Sequence, residues 1–170
     1  VTGTSVSVDG GAGNDSILMS ATLSSGDTVK GGAGSDTLRL TALATGTASV
    51  GVSEFEYLSQ EVTGTQDMSQ FTNNTFTRVS ANVAAVTAFT NVGSSTNELR
   101  FISDGAAGTT FTRLVDTSSD SLTIGAHTDA AATLVALTAA NEETINVTGG
   151  AIDANDTTLT ISTLAAEDLV

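Results

Sequence analysis

The sequence contains no cysteine, no proline and no tryptophan, and only 4% of its 170 residues are aromatic. Without cysteine, the chain can form neither a disulfide framework nor a thiolate site for zinc or an iron–sulfur cluster. Five lysines and arginines stand against 19 aspartates and glutamates, which gives a net charge of −14. This charge repels phosphate backbones and argues against a nucleic-acid partner. No apolar run approaches the ~20 residues that a membrane-spanning helix needs, so we expect no membrane span.

Small and β-branched residues are abundant instead. Gly, Ala, Ser and Thr occur in nearly every segment, together with Val and Ile. A disordered linker would be rich in proline and poor in β-branched side chains, whereas this mixture suits closely stacked strands. The composition therefore predicts an all-β fold, either a solenoid or a sandwich. The length favours one domain, and because the chain begins at Val1 rather than Met we expect it to be a fragment of a larger protein.

A nine-residue repeat occurs twice near the N-terminus. Residues 10–18 and 31–39 both read G-G-x-G-x-D-x-U-x, where U is a large apolar residue. Residues 22–30, which lie between them, keep the Asp and the apolar position but lack the three glycines. Self-similarity at a fixed spacing is typical of solenoid proteins. We therefore expect the two complete units to stack on each other, with the 22–27 loop on the opposite edge of the coil.

The residue types of this repeat suit a calcium-binding turn. Glycine permits positive φ and lets backbone carbonyls converge on one point, and aspartate adds the hard anionic oxygen that Ca²⁺ prefers. The sequence thus predicts one Ca²⁺ between Asp15 and Asp36, completed by carbonyls of both loops. The full set of candidate metal ligands is Gly10, Gly11, Gly13, Asp15, Asp27, Gly31, Gly32, Gly34 and Asp36. In the alternative interpretation the glycine segments are plain turns and Asp27 is a solvated turn residue.

On these two nonapeptides the sequence resembles the RTX (hemolysin-type calcium-binding) family of secreted bacterial proteins. Within that family it is most similar to RTX S-layer proteins of the Caulobacter type. Two features carry this similarity, namely the arrangement of residues 20–38 followed by 55–58, and the segment 143–147. The resemblance implies type I secretion and an extracellular location in the S-layer at the cell surface. It also implies a calcium-binding β-roll over residues 1–40. Because complete nonapeptides end at Arg39, we expect less regular β-solenoid rungs over 41–170, in the same elongated domain.

Short alternating apolar runs predict the strands after the repeat. They lie at 38–40, 55–58, 76–79, 83–86, 99–102, 111–115, 122–124, 145–147 and 159–161. The segment 129–141 is interpreted as a strand, with a short helix as the alternative. The six phenylalanines and the single tyrosine are expected in the core. Further acidic residues are expected first as turn residues and second as additional calcium ligands, namely Asp104, Asp116, Asp120, Asp153 and Asp156.

No catalytic motif occurs in the sequence, and we expect that the chain is not an enzyme. Its one histidine, His127, is interpreted as a turn or surface residue. The leading hypothesis is a calcium-dependent structural protein, a subunit of an S-layer lattice that binds copies of itself, with cell-surface polysaccharide or lipopolysaccharide as a further partner. Two alternatives remain open. One is the spacer of a secreted adhesin that binds a surface or polysaccharide, and the other is an auxiliary module of a secreted polysaccharide-active enzyme.

Overall fold

A computed structural model describes residues 5–102, 108–126, 133–134, 136–148, 160–161 and 164–166. Throughout these ranges the chain is all-β, and its parallel strands form a β-solenoid of about six turns. The predicted fold class is therefore confirmed. The helical structure in the same ranges consists of two short 3-10 turns, Gly46–Ser49 and Met68–Gln70, so no helix there is long and apolar enough to cross a membrane.

Within the described ranges, seventeen short strands build the solenoid. In chain order they are β1 (Ser7–Asp9), β2 (Ser16–Met19), β3 (Thr28–Lys30), β4 (Thr37–Leu40), β5 (Val52–Ser53), β6 (Tyr57–Gln60), β7 (Gly64–Asp67), β8 (Arg78–Ala81), β9 (Thr87–Val92), β10 (Glu98–Phe101), β11 (Thr109–Arg113), β12 (Ser121–Ala126), β13 (Thr133–Leu134), β14 (Leu137–Ala139), β15 (Thr144–Thr148), β16 (Thr160–Ile161) and β17 (Leu164–Ala166). The strands are short because each forms one side of a solenoid turn.

One sheet extends from β2 to β15, and we call it the long sheet. It contains seven strands in the order β2-β4-β6-β8-β10-β12-β15. The other walls change along the axis: the first sheet, β1-β3-β5, serves the N-terminal turns, and a third sheet, β7-β9-β11-β14-β17, serves the later ones. Strands β13 and β16 pair separately. The cross-section of the solenoid therefore changes after the first rungs.

The register of the long sheet shows the repeat length. Ser16 lies beside Thr37, Thr37 beside Tyr57, and Tyr57 beside Arg78. The hydrogen bond from the turn before β2 to the turn before β4 spans 21 residues, which is one turn of the solenoid. This is the spacing of the two complete nonapeptides. The repeat in the sequence is therefore one full turn of the solenoid.

Side chains in the long sheet point alternately inward and outward, as the pleat of a strand requires, although the outward Ser59 and Ser80 are buried too. One inward position is occupied in successive strands by fully buried Leu38, Leu58, Val79, Leu99 and Ile124. All six phenylalanines are buried as predicted. Tyr57 is not a core residue, because it stands at an outward position of β6 and is half-buried. The expectation for the single tyrosine was wrong.

Most of the predicted strands exist, but several begin elsewhere. The strands predicted at 55–58 and 76–79 begin two residues later, because Phe55 and Phe76 turn into the core from the corner before the strand. The strand predicted at 83–86 is a bend that leads into β9, and Val86 there is exposed. The described part of 129–141 forms β13 and β14, so the helical alternative is wrong there. Asp104, His127, Asp153 and Asp156 lie outside the described residues.

Candidate functional site

The two glycine turns lie directly on each other. Ala12 pairs with Ala33 as a parallel bridge. The N–H of Gly13 donates to the carbonyl of Ala33 at 2.9 Å, and the N–H of Ala33 donates to the carbonyl of Gly11 at 2.7 Å. Both turns lead from the first sheet to the long sheet, whereas 22–27 leads back in the opposite direction. The predicted stacking of alternate loops is confirmed.

Close contact between these turns explains two of the glycines. Gly34 has φ of +148°, and a Cβ there would collide with the carbonyl oxygen of Gly13. A Cβ on Gly31 would collide with the carbonyl oxygen of Glu54 in the next turn. Any larger residue at either position would push two rungs apart. The glycines are therefore needed for the stacking itself, whatever the turns bind.

Carboxylates connect three successive turns at the corner before the long sheet. The Oδ1 atom of Asp36 accepts the N–H of Asp15 at 2.7 Å, and the Oε2 atom of Glu56 accepts the N–H of Asp36 at 2.7 Å. Asp36 is fully buried and Asp15 is half-buried. The structure therefore brings Asp15 and Asp36 together, as the sequence predicted. It adds Glu56, which the sequence analysis missed although it too stands directly before a strand of the long sheet.

The second carboxylate oxygen of each aspartate is buried and has no hydrogen-bond partner among the described residues. These atoms are Oδ2 of Asp15 and Oδ2 of Asp36. A Cβ on Gly10 would lie 2.9 Å from the first oxygen, and a Cβ on Gly31 would lie 2.9 Å from the second. A side chain at either glycine would therefore crowd the buried oxygen beside it. A buried charged oxygen without a partner is costly, and a cation is its natural partner.

The donor types at this corner fit calcium. Ca²⁺ takes six to eight oxygen ligands from carboxylates, backbone carbonyls and water. The described residues contain no group of three or more His, Cys, Asp or Glu side chains placed to hold a metal. A calcium ion between the turns would therefore use Asp15 and Asp36 and draw its other ligands from turn carbonyls and water. This is the donor set that the sequence predicted, in which glycines contribute through their backbone.

Asp27 lies on the opposite connection and has a different environment. Its Oδ1 atom accepts the N–H of Val6 at 2.9 Å, and its Oδ2 atom accepts the N–H of Ser24 at 2.7 Å. These two backbone hydrogen bonds hold the pKa of Asp27 below its usual value, against a smaller effect of burial. The carboxylate thus closes its own turn and ties it to the preceding rung. Its role as a metal ligand stays a prediction.

The acidic residues near β12 are turn residues in the structure. The carboxylate of Asp120 accepts the N–H and the hydroxyl of Thr117, both at 2.8 Å. The N–H of Asp120 donates to Oε2 of Glu143 at 2.7 Å, and Asp116 accepts the side-chain amide of Asn141 at 3.1 Å. A glutamate thus accepts the backbone N–H of an aspartate one turn earlier in both places, Glu56 from Asp36 and Glu143 from Asp120. Burial would raise the pKa of Asp120, but the bonds from Thr117 outweigh it and lower that pKa.

The candidate site thus consists of two stacked glycine turns whose carboxylates meet at one buried corner. Its donor types are those that a hard cation uses, since carboxylate and carbonyl oxygens lie close together there. Nothing comparable is formed by Asp27 or by the turn that contains Asp120, because hydrogen bonds occupy both oxygens of each carboxylate. Comparison with known proteins adds no relative, because no protein family, curated protein or solved structure matches the chain.

Proposed function

We propose that the chain is a calcium-dependent structural module of an extracellular cell-surface protein, and that it serves as a subunit of an S-layer lattice. One observation carries the calcium part of this proposal, namely the buried, unpartnered Oδ2 atoms of Asp15 and Asp36 on adjacent turns. The lattice part rests on the sequence resemblance. A repeating rod with no enzyme-like motif suits a building element better than a catalyst.

The net charge of −14 gives calcium a direct role in folding. Stacked turns bring like charges together, and the Asp15 and Asp36 carboxylates lie one rung apart at a corner shielded from water. A cation that binds the folded chain and not the unfolded chain stabilises the fold by its binding free energy. Calcium at the concentration found outside cells would thereby stabilise the first rungs, whereas a chelator would loosen them.

The test compares three single substitutions that each remove one negative charge. Asp15→Asn is the most informative, because the buried Oδ2 atom of Asp15 has no hydrogen-bond partner among the described residues. Asp36→Asn keeps an Oδ1 acceptor for the N–H of Asp15. Asp116→Asn is the matched control, since Asp116 is exposed and far along the chain from the glycine turns. Thermal unfolding is followed by circular dichroism in EGTA and in calcium, and calcium binding is measured by calorimetry.

We expect the effect of Asp15→Asn to change sign with calcium. In EGTA the variant is as stable as the parent or more stable, because it loses repulsion between buried carboxylates. In calcium the parent gains about 2.7 kcal/mol at a hundredfold excess over the dissociation constant, and the variant gains much less. The control should respond to calcium as the parent does. An equal calcium response in all four proteins would overturn the proposed site.

The lattice is tested separately by electron microscopy of the same samples. Two-dimensional sheets that form on calcium addition and dissolve in EGTA are the expected result. Isolated rods at every calcium concentration would contradict the lattice and favour a spacer or an auxiliary module. Because calorimetry measures the metal and microscopy measures the assembly, either part can fail while the other stands.

A further inference from the structure

The third turn at the corner before the long sheet lacks the nonapeptide, yet it stacks on the second glycine turn. In the register of the two sheets, residues 31–36 of the second turn correspond to only 54–56 of the third. The stacking continues because the N–H of Gly31 donates to the carbonyl of Ser53 at 3.1 Å. The shorter path of the third turn brings the backbone of Glu54 directly beside the glycine turn.

Glu54 has a backbone conformation that is unusual for its residue type. Its φ is +63°, in the left-handed region that residues with a side chain rarely occupy. Such strain persists where the surrounding structure requires it, and it is common at ligand sites. A Cβ of Gly31 would collide with the carbonyl oxygen of Glu54, and this oxygen accepts no hydrogen bond among the described residues. The strained residue therefore presents an unsatisfied acceptor to the second turn.

The buried carboxylate oxygen of Asp36 borders the same point. Its Oδ1 atom accepts the N–H of Asp15 one turn earlier, and this bond fixes the carboxylate. Its Oδ2 atom has no hydrogen-bond partner among the described residues and lies 2.9 Å from the position of a Cβ on Gly31. This oxygen and the Glu54 carbonyl are therefore less than about 5 Å apart, and two ligands of one Ca²⁺ span up to ~5.2 Å. Two unpartnered acceptors thus meet beside a fully buried residue.

We propose that a second Ca²⁺ binds between the second and third turns, held by Oδ2 of Asp36 and the carbonyl oxygen of Glu54. This inference rests on the proposed calcium binding of the glycine turns and adds an ion to it. The nonapeptide does not predict this ion, because the third turn contains no copy of the repeat. The remaining ligands would be water and further turn carbonyls, which Ca²⁺ commonly uses.

The charge at this corner favours a divalent cation. The carboxylate of Glu56 lies at the same corner as Asp36, because its Oε2 atom accepts the N–H of Asp36 at 2.7 Å. Among the described residues no lysine or arginine pairs with either carboxylate. Lys30 approaches the third turn, but it pairs with the side chain of Glu54 at 3.9 Å. Two negative charges therefore stand here without a cation of the protein to neutralise them.

The same pair of donors stands one turn earlier. A Cβ on Gly10 would collide with the carbonyl oxygen of Gly31 and lie 2.9 Å from Oδ2 of Asp15. The first proposed ion thus has a carboxylate and a carbonyl in equivalent positions, with Gly31 in the place of Glu54. The two ions would share the second turn, whose Gly31 carbonyl faces the first ion and whose Asp36 carboxylate faces the second.

The test is a matched pair of substitutions at Glu54. Glu54→Gly and Glu54→Val both remove the side-chain carboxylate. Glycine adopts a φ of +63° without strain and keeps the carbonyl in place, whereas β-branched valine disfavours it and turns the carbonyl away. Calorimetry of the whole chain counts the calcium ions. We expect two ions in the parent and in Glu54→Gly, and a second site weakened about tenfold or more in Glu54→Val.

Tyr57 provides a second readout beside the site. It is the single tyrosine, and its N–H donates to the carbonyl of Asp36 at 3.0 Å. Its ring is held by Arg78, whose guanidinium carbon lies 3.7 Å from the ring centre. Terbium(III) takes oxygen ligands as calcium does and emits light when a nearby tyrosine is excited. The parent and Glu54→Gly should show this emission, and Glu54→Val should lose most of it.

Two results would overturn the second site and leave the first intact. One is a parent that binds a single ion, lost in Asp15→Asn, and the other is equally tight binding of two ions by Glu54→Gly and Glu54→Val. Equal loss of one ion in both variants would assign that ion to the side chain of Glu54 and overturn the role of its carbonyl. A parent that binds no calcium would overturn the proposed function as well.

An independent variant guards against misfolding of Glu54→Val, which circular dichroism in calcium would reveal. Asp36→Asn keeps an Oδ1 acceptor for the N–H of Asp15, and it should lose the second ion while it keeps the first. Two ions bound by Asp36→Asn with the affinity of the parent would overturn the inference.

Discussion

The first rungs and the later rungs close the same corner of the solenoid by different means. In residues 10–36 the corner is formed by glycine turns whose backbones hydrogen-bond to one another, and two buried carboxylate oxygens there have no partner among the described residues. In the later rungs side chains fill it. Phe71 and Phe76 pack edge to face with their ring centres 5.5 Å apart, and further along an arginine and a glutamate pair inside the molecule. Under the proposed function the first rungs depend on an external cation, whereas the later rungs do not.

The internal pair shows how the later rungs neutralise buried charge. Arg113 and Glu142 are almost completely buried and joined by two bonds, Nε–Oε1 at 2.7 Å and Nη2–Oε2 at 3.1 Å. Arg113 also donates to the carbonyls of Gly93 and Ser121. Burial raises the pKa of Glu142, and its bonds to Arg113 offset part of that rise. The chain thus supplies its own counter-ion here, whereas no Lys or Arg among the described residues pairs with Asp15 or Asp36.

The largest expected effect comes from breaking this internal pair. Glu142→Gln leaves the charge of Arg113 buried and unpaired, and we expect it to lower the free energy of unfolding by about 3–5 kcal/mol. Urea denaturation in calcium and in EGTA measures the loss, which should be the same in both. Glu143→Gln is the control, since Glu143 is half-exposed and accepts one backbone bond. The double variant Arg113→Met with Glu142→Leu should recover most of the lost stability. If Glu142→Gln costs less than about 1 kcal/mol, the ion pair is not a main source of stability in the later rungs.

A second prediction tests whether the first rungs depend on close backbone contact. A Cβ at Gly31 meets backbone of the next turn, and Gly31→Ala should cost about 3 kcal/mol, the upper part of the usual range for overpacking. Gly11→Ala is the matched control in the preceding turn. Gly11 has φ of +90° with open space around it, so only conformational strain of about 1–2 kcal/mol is expected. A loss in Gly31→Ala no larger than the loss in Gly11→Ala would mean that the close contact at Gly31 costs no more than the strain of one left-handed residue.

The sequence predicted more of the structure in the first rungs than in the later rungs. The spacing of the nonapeptides predicted the length of a turn, the stacking of 10–15 on 31–36 and the meeting of Asp15 with Asp36, because a repeat fixes its own geometry. The later rungs lack such a repeat. Their apolar runs predicted strands but not the corners, since Phe55 and Phe76 are as apolar as the strand residues beside them and yet turn inward before the strand begins.

The charged contacts could not be predicted from the sequence for a related reason. Arg113 and Glu142 are 29 residues apart, and the rung between them is longer than those before it, so no fixed spacing links them. Tyr57 and Arg78 follow the spacing of one turn, and that signal was present in the sequence. It was missed because an aromatic residue in a short apolar run was assigned to the core, whereas the alternation of β6 places it outside.

Hydrogen exchange compares the first rungs with the later rungs directly, and we expect a smaller effect than in the two substitution experiments above. On calcium addition we expect the amides of β1 to β4 to gain protection, because the metal would join the turns between these strands. The amides of β8, β10 and β12 should change little, since those rungs are closed by side chains. Protection is measured by mass spectrometry in calcium and in EGTA, and the Asp15→Asn variant should lose the regional difference. A uniform gain along the whole rod would mean that the rungs unfold as one cooperative unit.

Acid should affect both regions alike, and this is the smallest effect we predict. Hydrogen bonds lower the pKa of Asp27 in the first rungs and of Asp120 in the later rungs. For such a group the folded state binds a proton less readily than the unfolded state, so its stabilising contribution is complete above the ordinary aspartate value of about 3.9 and is lost as the pH falls through the lower folded value. Asp27→Asn and Asp120→Asn should therefore each flatten the fall of stability below about pH 4. Urea midpoints measured in EGTA across this range test it, with Asp116→Asn as the matched substitution. If only Asp27→Asn flattened the dependence of stability on pH, the two regions would also differ in their response to acid. The stability of the later rungs would then depend neither on their turn carboxylates nor on calcium.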